Sequence, residues 1–194
     1  MKTLCIVTRC HPKRPNMLKI CVGSVKRQTG NDYTHLLVKS DKTENGYGVA
    51  KANEAISTIK IKDAKYVMVL DDDDFFIDYT FVDTLKKIAD KSAPDIVMFK
   101  GVIPPYGILP QGEYWKKPPV RGKIGSFCFA VSMELWNKYV EFWRPSDGYV
   151  AMSDFTFIRE CYKNTESITW MDKVVACTQF GASRGRGECQ IAQS

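Results

Sequence analysis

Two kinds of apolar pattern alternate through the first hundred residues. Short continuous apolar runs occur at "TLCIVT" (Thr3 to Thr8), "YTHLLVK" (Tyr33 to Lys39), "AKYVMVL" (Ala64 to Leu70) and "DIVMFKG" (Asp95 to Gly101). All four read as strands, the first as one buried on both faces. Between them, apolar residues recur at helical spacing. Met17, Leu18, Cys21 and Val25 form one set, with Pro15 near its start. "VAKANEAISTI" (Val49 to Ile59) is a second helix, and Phe81, Val82, Leu85, Ile88 and Ala89 mark a third. This βαβαβαβ order predicts an α/β fold with an open, mostly parallel central sheet flanked by helices. In such sheets ligands bind beyond the carboxyl ends of the strands.

The second half reads differently. Gly101 to Gly125 is rich in proline and aromatic residues and predicts a long loop, a length that usually signals function or mobility. "SFCFAV" (Ser126 to Val131) is a strand, and "SMELWNKYVEFW" an amphipathic helix with Ser132 as its N-cap. "SDFTFIRECYKN" is a short helix capped by Ser153, with Asp154 in its first turn. "SITWM" and "KVVACT" read as two late strands, and "GASRGRGECQIAQS" as a mobile basic tail. No repeat or interdomain linker is visible. The 194 residues therefore predict a single domain, with residues 1–100 and 101–180 as its two halves and 181–194 as the tail.

Composition adds boundaries. No apolar run approaches the roughly 20 residues that span a bilayer, and the four-residue apolar run before Thr8 is too short for a signal-peptide core. The seven cysteines include no CxxC pair and mostly sit among apolar neighbours. They are expected to be reduced core residues of a cytoplasmic protein. His11 and His35 are the only histidines, and neither pairs with a cysteine at zinc-ligand spacing. The net charge of +6 favours an anionic partner, and leaves a nucleic-acid or membrane-surface acceptor open.

The chemistry concentrates at "KYVMVLDDDDFFID", where a predicted strand runs into Asp71, Asp72, Asp73 and Asp74. Unpaired like charges are costly out of water. Carboxylates at the functional edge of a sheet suit Mg²⁺ or Mn²⁺, which take one or two of them and complete their shell with water and substrate phosphates. "VLDDDDFFID" resembles the L-D-x-D-D motif of GT-A fold glycosyltransferases, especially the large family 2 group. The resemblance runs from Thr3 to about Arg186 and implies a single Rossmann-like nucleotide-sugar domain. It implies that Asp71 and Asp72 lie near the nucleotide, and that Asp73, with Asp71 and Asp74, holds the metal. Thr8 and Arg9, just after the first strand, would contact the nucleotide, and Asp41 would hold the base. "GVAKANEA" is similar to the family's G-x-x-x-A-R-N-x-G. Asn53 matches its Asn, while the basic residue, Lys51, stands two positions before it rather than one.

"MSDFTFIREC" resembles the E-D-x-x-x segment that carries the base of inverting members, with Ser153 in place of Glu and Asp154 as the base; Asp147 is the fallback. Arg184 and Arg186 of "SRGRGE" suit diphosphate contact. Tyr106, Tyr114 and Trp115 of the long loop are acceptor candidates, whereas Trp136 and Trp143 read as core. The late His that many relatives use as a ligand has no counterpart after His35.

The expected function is metal-dependent transfer of a hexosyl-type sugar from a nucleoside-diphosphate sugar, UDP-linked by preference, to an acceptor hydroxyl with inversion. Two alternatives remain open: a haloacid dehalogenase-like phosphatase, whose D-x-D-x-T would place Phe75 at the Thr position, and a non-catalytic nucleotide-sugar-binding protein. A nucleotidyltransferase would show a glycine-rich loop where "TRCHPKRP" has none.

Overall fold

A computed structural model describes residues 1–39, 49–144 and 153–179. The chain enters as β1 (Lys2–Cys10), α1 (Pro15–Lys26), β2 (Tyr33–Lys39), α2 (Val49–Ser57) and β3 (Ala64–Val69). It continues through β4 (Asp74–Phe76), α3 (Phe81–Lys91), β5 (Ile96–Ile103), β6 (Gly107–Leu109) and β7 (Phe129–Ser132). It closes with α4 (Met133–Tyr139), α5 (Ser153–Lys163) and β8 (Ile168–Thr178). The strands form one sheet in the order β2-β1-β3-β7-β5-β8-β4, with β6 beside β5. β1 is parallel to β2 and β3, and β5 is parallel to β8. β7 is antiparallel to both β3 and β5 and so joins the two parallel groups in the same sense. Among the described residues, five strands therefore run one way, and β4, β6 and β7 run against them. This is the mostly parallel, helix-flanked α/β sheet that the apolar runs predict.

The burial pattern explains the runs. Val67, Met68, Val69 and Leu70 are fully buried in and just after β3, so both faces of that strand are covered. α1 buries Met17, Cys21, Ser24 and Val25, and Ser24 Oγ accepts the Phe76 N–H at 3.0 Å. Phe76, Phe81 and Phe99 stack in sequence, with centroids 5.6 and 4.8 Å apart. A second aromatic group, Trp136, Trp143, Phe129 and Phe157, joins α4, α5 and β7. Fully burying a side chain of this kind contributes about 1.5–3 kcal/mol before ordering costs. Cys5, Cys10, Cys21, Cys128 and Cys161 are buried thiols outside any disulfide, and Cys177 is a half-buried one. Among the described residues no helix is long and apolar enough to cross a membrane.

Four local expectations change. The two late strands are one, β8. Its polar "MDK" forms a bulge against β5, because Met98 faces Trp170 while Lys100 faces Val174. Asp172 and Lys173 leave the ladder there to pair with Lys100 and Asp78. The long loop begins as a hairpin, β5–β6, turned at Gly107 with φ +92°, a region that suits glycine. The Ser132 helix is α4 followed by a 3-10 turn, Val140–Trp143, and Ser132 Oγ accepts the Leu135 N–H as its cap. "SFC" is a 3-10 turn ahead of β7, so that strand starts at Phe129.

Gly101 marks the tightest point. A Cβ there would lie 2.1 Å from the ring of Phe127 and 3.2 Å from the Ala176 carbonyl. Gly101→Ala should therefore lower unfolding free energy by about 2–3 kcal/mol through overpacking, read by urea denaturation. An unchanged midpoint would show that Phe127 moves aside freely.

Candidate functional site

The site forms where β1 and β3 end side by side. Their register, Val7 opposite Val69, brings residues 9–14 beside residues 71–73. After β3 the chain turns tightly: Asp74 N–H donates to the Asp71 carbonyl at 2.9 Å, and Gln179 N–H donates to the Asp73 carbonyl at 2.7 Å. β4 then leaves antiparallel to β8. Four carboxylates are held in this turn, and Asp72 and Asp74 are only 3% exposed.

Each carboxylate has its own compensation. Arg9 grips Asp71 with two nitrogens, Nε on Oδ1 and Nη2 on Oδ2, while Nη1 donates to Asn53 Oδ1. Its guanidinium lies 5.3 Å from the Trp143 ring centroid. Burial disfavours the Arg9 charge, but Asp71 overrides it and holds the guanidinium above its ordinary range. Asp72 accepts the His11 N–H at 2.5 Å and lies 3.5 Å from Arg14. Arg14 Nη1 donates to Asp73 Oδ2 at 2.5 Å. Asp74 accepts from the Thr178 hydroxyl at 2.7 Å.

Burial, reinforced by neighbouring negative charge, pushes Asp72 up to about 6. The same causes, burial first, raise Asp73 and raise Asp74 further. The turn therefore retains a drive to take up positive charge. One ligand oxygen from each of Asp71, Asp73 and Asp74 lies within 4.8 Å of the others. Opposite ligands of an octahedral Mg²⁺ stand about 4.2 Å apart and adjacent ones about 3.0 Å, so the three oxygens would draw closer together to share one ion. Hard carboxylate oxygens fit such a cation.

Asp154 is placed as expected in the first turn of α5. Asn53 Nδ2 donates to Ser153 Oγ at 2.8 Å, so a chain of polar contacts runs from Asp71 through Arg9 and Asn53 to the start of that helix. Burial raises the Asp154 carboxyl, opposed by the charge of Arg9 and by the Phe155 N–H. A cavity of about 160 Å³ opens beside the turn, lined by Arg9, His11, Arg14, Ala52, Asp71, Asp72 and Asp73.

Thr8 faces elsewhere. It is fully buried, and its single hydroxyl proton goes to the Leu70 carbonyl at 2.7 Å. It must therefore accept from His35 Nε2 at 2.9 Å, which fixes the His35 tautomer. Thr8 clasps β1, β2 and β3 together beneath the site rather than reaching into it.

The loop aromatics are spread out. Tyr106, at the β5–β6 turn, is 67% exposed. Trp115 packs edge-on against Trp170 at 5.1 Å with Lys100 Nζ 4.7 Å from its centroid, and Lys123 covers Tyr114. Trp170 faces Met98, well before the carboxyl end of β5, so Trp115 sits back from the acidic turn. Asp41, Asp147, Arg184, Arg186 and the side chain of Lys51 lie outside the described residues. Sequence reasoning missed Arg14, the His11 amide and Ser126, whose hydroxyl lies 3.4 Å from Asp71. The signal for the first two was present: in a parallel pair, the loop after β1 must face the loop after β3.

No protein-family model matches the sequence, and no curated protein matches it either. Solved structures do. S. aureus TarS 1-349 superposes with a TM-score of 0.67 at 14% identity, covering 92% of this chain and 60% of its own. The same protein in complex with UDP-GlcNAc gives 0.67 at 15% identity over 97% of this chain. A glycosyltransferase involved in the glycosylation of the major capsid of PBCV-1 gives 0.58 at 12% identity, covering 94% of this chain and 95% of its own. The fold is GT-A-like. This chain spans 60% of TarS 1-349 and 36% of the longer TarS structure. In the GT-A-like frame, the acidic turn stands at the carboxyl edge of the sheet, where ligands of open α/β sheets bind.

Two outcomes test the site's electrostatics. Arg9→Met should cost about 3–5 kcal/mol by stranding Asp71, and adding Asp71→Leu should restore much of it; denaturant titration of both variants decides, and an unaltered Arg9→Met midpoint would contradict the pairing. His35 is held down to about 4 by burial. The unfolded chain then binds its proton first, so this contribution is intact above about 6.5 and lost as pH falls towards 4. Wild type should lose more stability than His35→Gln between pH 7 and pH 4.5 in thermal melts. Equal losses would show that His35 is not held neutral.

Proposed function

We propose that this domain transfers a sugar from a nucleoside-diphosphate sugar to an acceptor hydroxyl, with a divalent cation at the acidic turn. The observation that carries the proposal is the convergence of Asp71, Asp73 and Asp74 oxygens at the carboxyl edge of a GT-A-like sheet. The UDP-GlcNAc complex of TarS favours a UDP-linked donor, and hexosyl transfer is the corresponding subtype. Mg²⁺ or Mn²⁺ held by Asp71 and Asp73 would neutralise charge on the departing diphosphate.

The chain's own residues supply the rest. Asp74, buried and bonded to Thr178, braces the turn. Asp72 holds the loop after β1 through the His11 amide. Arg9 and Asn53 tie the donor side to α5, so Asp154 is oriented relative to the same turn. Asp154 then takes the proton of the acceptor hydroxyl as its oxygen bonds to the anomeric carbon and the bond to the diphosphate breaks, which inverts that carbon. A carboxyl raised by burial is the better base near neutral pH. Arg184 and Arg186 are assigned to the diphosphate, Asp41 and Lys51 to the nucleotide, and exposed Tyr106 to the acceptor side. The phosphatase alternative gains nothing from the fold, since Phe75 pairs with Cys177 in β4 and offers no hydroxyl.

Calorimetric titration of UDP and GDP, with and without Mn²⁺, tests the proposal on wild type and Asp73→Ala. One nucleotide should bind in a Mn²⁺-dependent manner, and binding should fall at least about tenfold in the variant, in line with the loss of a charged ligand. Failure of both nucleotides to bind wild type in either condition would overturn it.

A further inference from the structure

The two arginines of the site are held differently. Arg9 is 15% exposed and engages both oxygens of Asp71 together with Asn53. Arg14 is 25% exposed, and its Nη1 lies 2.5 Å from Asp73 and 3.5 Å from Asp72. It stands at the N-cap of α1 without a side-chain capping bond, so its guanidinium does not hold the helix end through such a bond. It also lines the 160 Å³ cavity beside the turn. That volume is below the roughly 300 Å³ of a site for a whole small-molecule ligand, but it suits a diphosphate and its cation.

Arg14 and a divalent cation would compete for the same Asp73 carboxylate. Both are positive, and in a half-buried site their repulsion is poorly screened. We propose that Arg14 is an exchangeable counterion: it neutralises Asp73 in the ion-free protein and, when a cation claims that carboxylate, turns to bind the diphosphate of the nucleotide. The inference rests on the nucleotide-sugar reading of the site. It adds a binding residue and a linkage that this reading does not contain. The cation and the nucleotide then bind cooperatively, because the first releases the guanidinium that the second uses. A planar guanidinium suits this exchange, since carboxylate and phosphate present similar paired oxygens to it.

The linkage gives Arg14→Gln effects of opposite sign on the two ligands. Calorimetry would measure Mn²⁺ alone, then UDP and GDP at saturating Mn²⁺. The variant should bind Mn²⁺ alone about five- to tenfold tighter, because its competitor is gone, and the nucleotide about tenfold weaker, because a charged phosphate contact is lost. Arg14→Lys keeps the competing charge but not the fork. It should hold Mn²⁺ near the wild-type affinity while still weakening the nucleotide. Mn²⁺ binding to Arg14→Gln that is equal to or weaker than wild type overturns the exchange, as does an unchanged nucleotide affinity. If Mn²⁺ tightens while neither nucleotide binds any of the three proteins, the diphosphate role of Arg14 and the nucleotide-sugar reading fail together. If the nucleotides bind wild type and Arg14→Gln alike, only the exchange fails.

Discussion

Four adjacent carboxylates withdrawn from water at the end of β3 constrain everything around them. Left alone, such a cluster would open the turn or protonate it. Here the chain answers with two arginines and a backbone N–H from its neighbour in the sheet. Arg9 closes on Asp71, Arg14 on Asp73, and the His11 amide on Asp72. All three come from the end of β1 or the loop after it, so the parallel β1–β3 pairing is what makes the acidic turn tolerable. The compensation is incomplete. Asp72, Asp73 and Asp74 all remain shifted towards the protonated form by burial and by one another, which is the electrostatic basis for accepting a cation.

The same contacts join segments far apart in the chain. Arg9 rests on Trp143 and bonds to Asn53, and Asn53 reaches Ser153 at the start of α5. A buried tryptophan that reads as plain core in the sequence thus forms the platform beneath an arginine. The turn is locked from the far side by the end of β8 and the residue after it, where Thr178 and Gln179 bond to Asp74 and Asp73. Residues more than a hundred positions apart in the chain therefore set the shape of one acidic turn. Rigidity of this kind is what a site needs if it is to stabilise developing charge without reorganising.

Much of this was legible in the sequence where the signal is local. Continuous apolar runs gave β1, β2, β3 and β5, and the aspartates fell at a strand end as expected. Helical spacing placed α1 and α3, and Asp154 lies in the first turn of α5. What escaped depends on pairing between distant segments. β4 is three residues long and exists because β8 is there to pair with it, and β8 reads as two strands because its bulge carries polar residues. Thr8 looked like a ligand contact from its position, but strand alternation turns it inward to His35 and Leu70. Arg14 escaped because its loop is polar throughout, and only the parallel order of β1 and β3 singles it out.

The central claim is that the acidic turn exchanges an internal arginine counterion for a cation that carries a diphosphate. The most direct measurement is an anomalous difference map from crystals of the protein soaked with Mn²⁺ and UDP. The account predicts one strong peak between the Asp71 and Asp73 carboxylates, in contact with the diphosphate, with Arg14 turned away from Asp73 onto a phosphate oxygen. UDP bound with no peak at the turn, and the Arg14–Asp73 pair still closed, would contradict it.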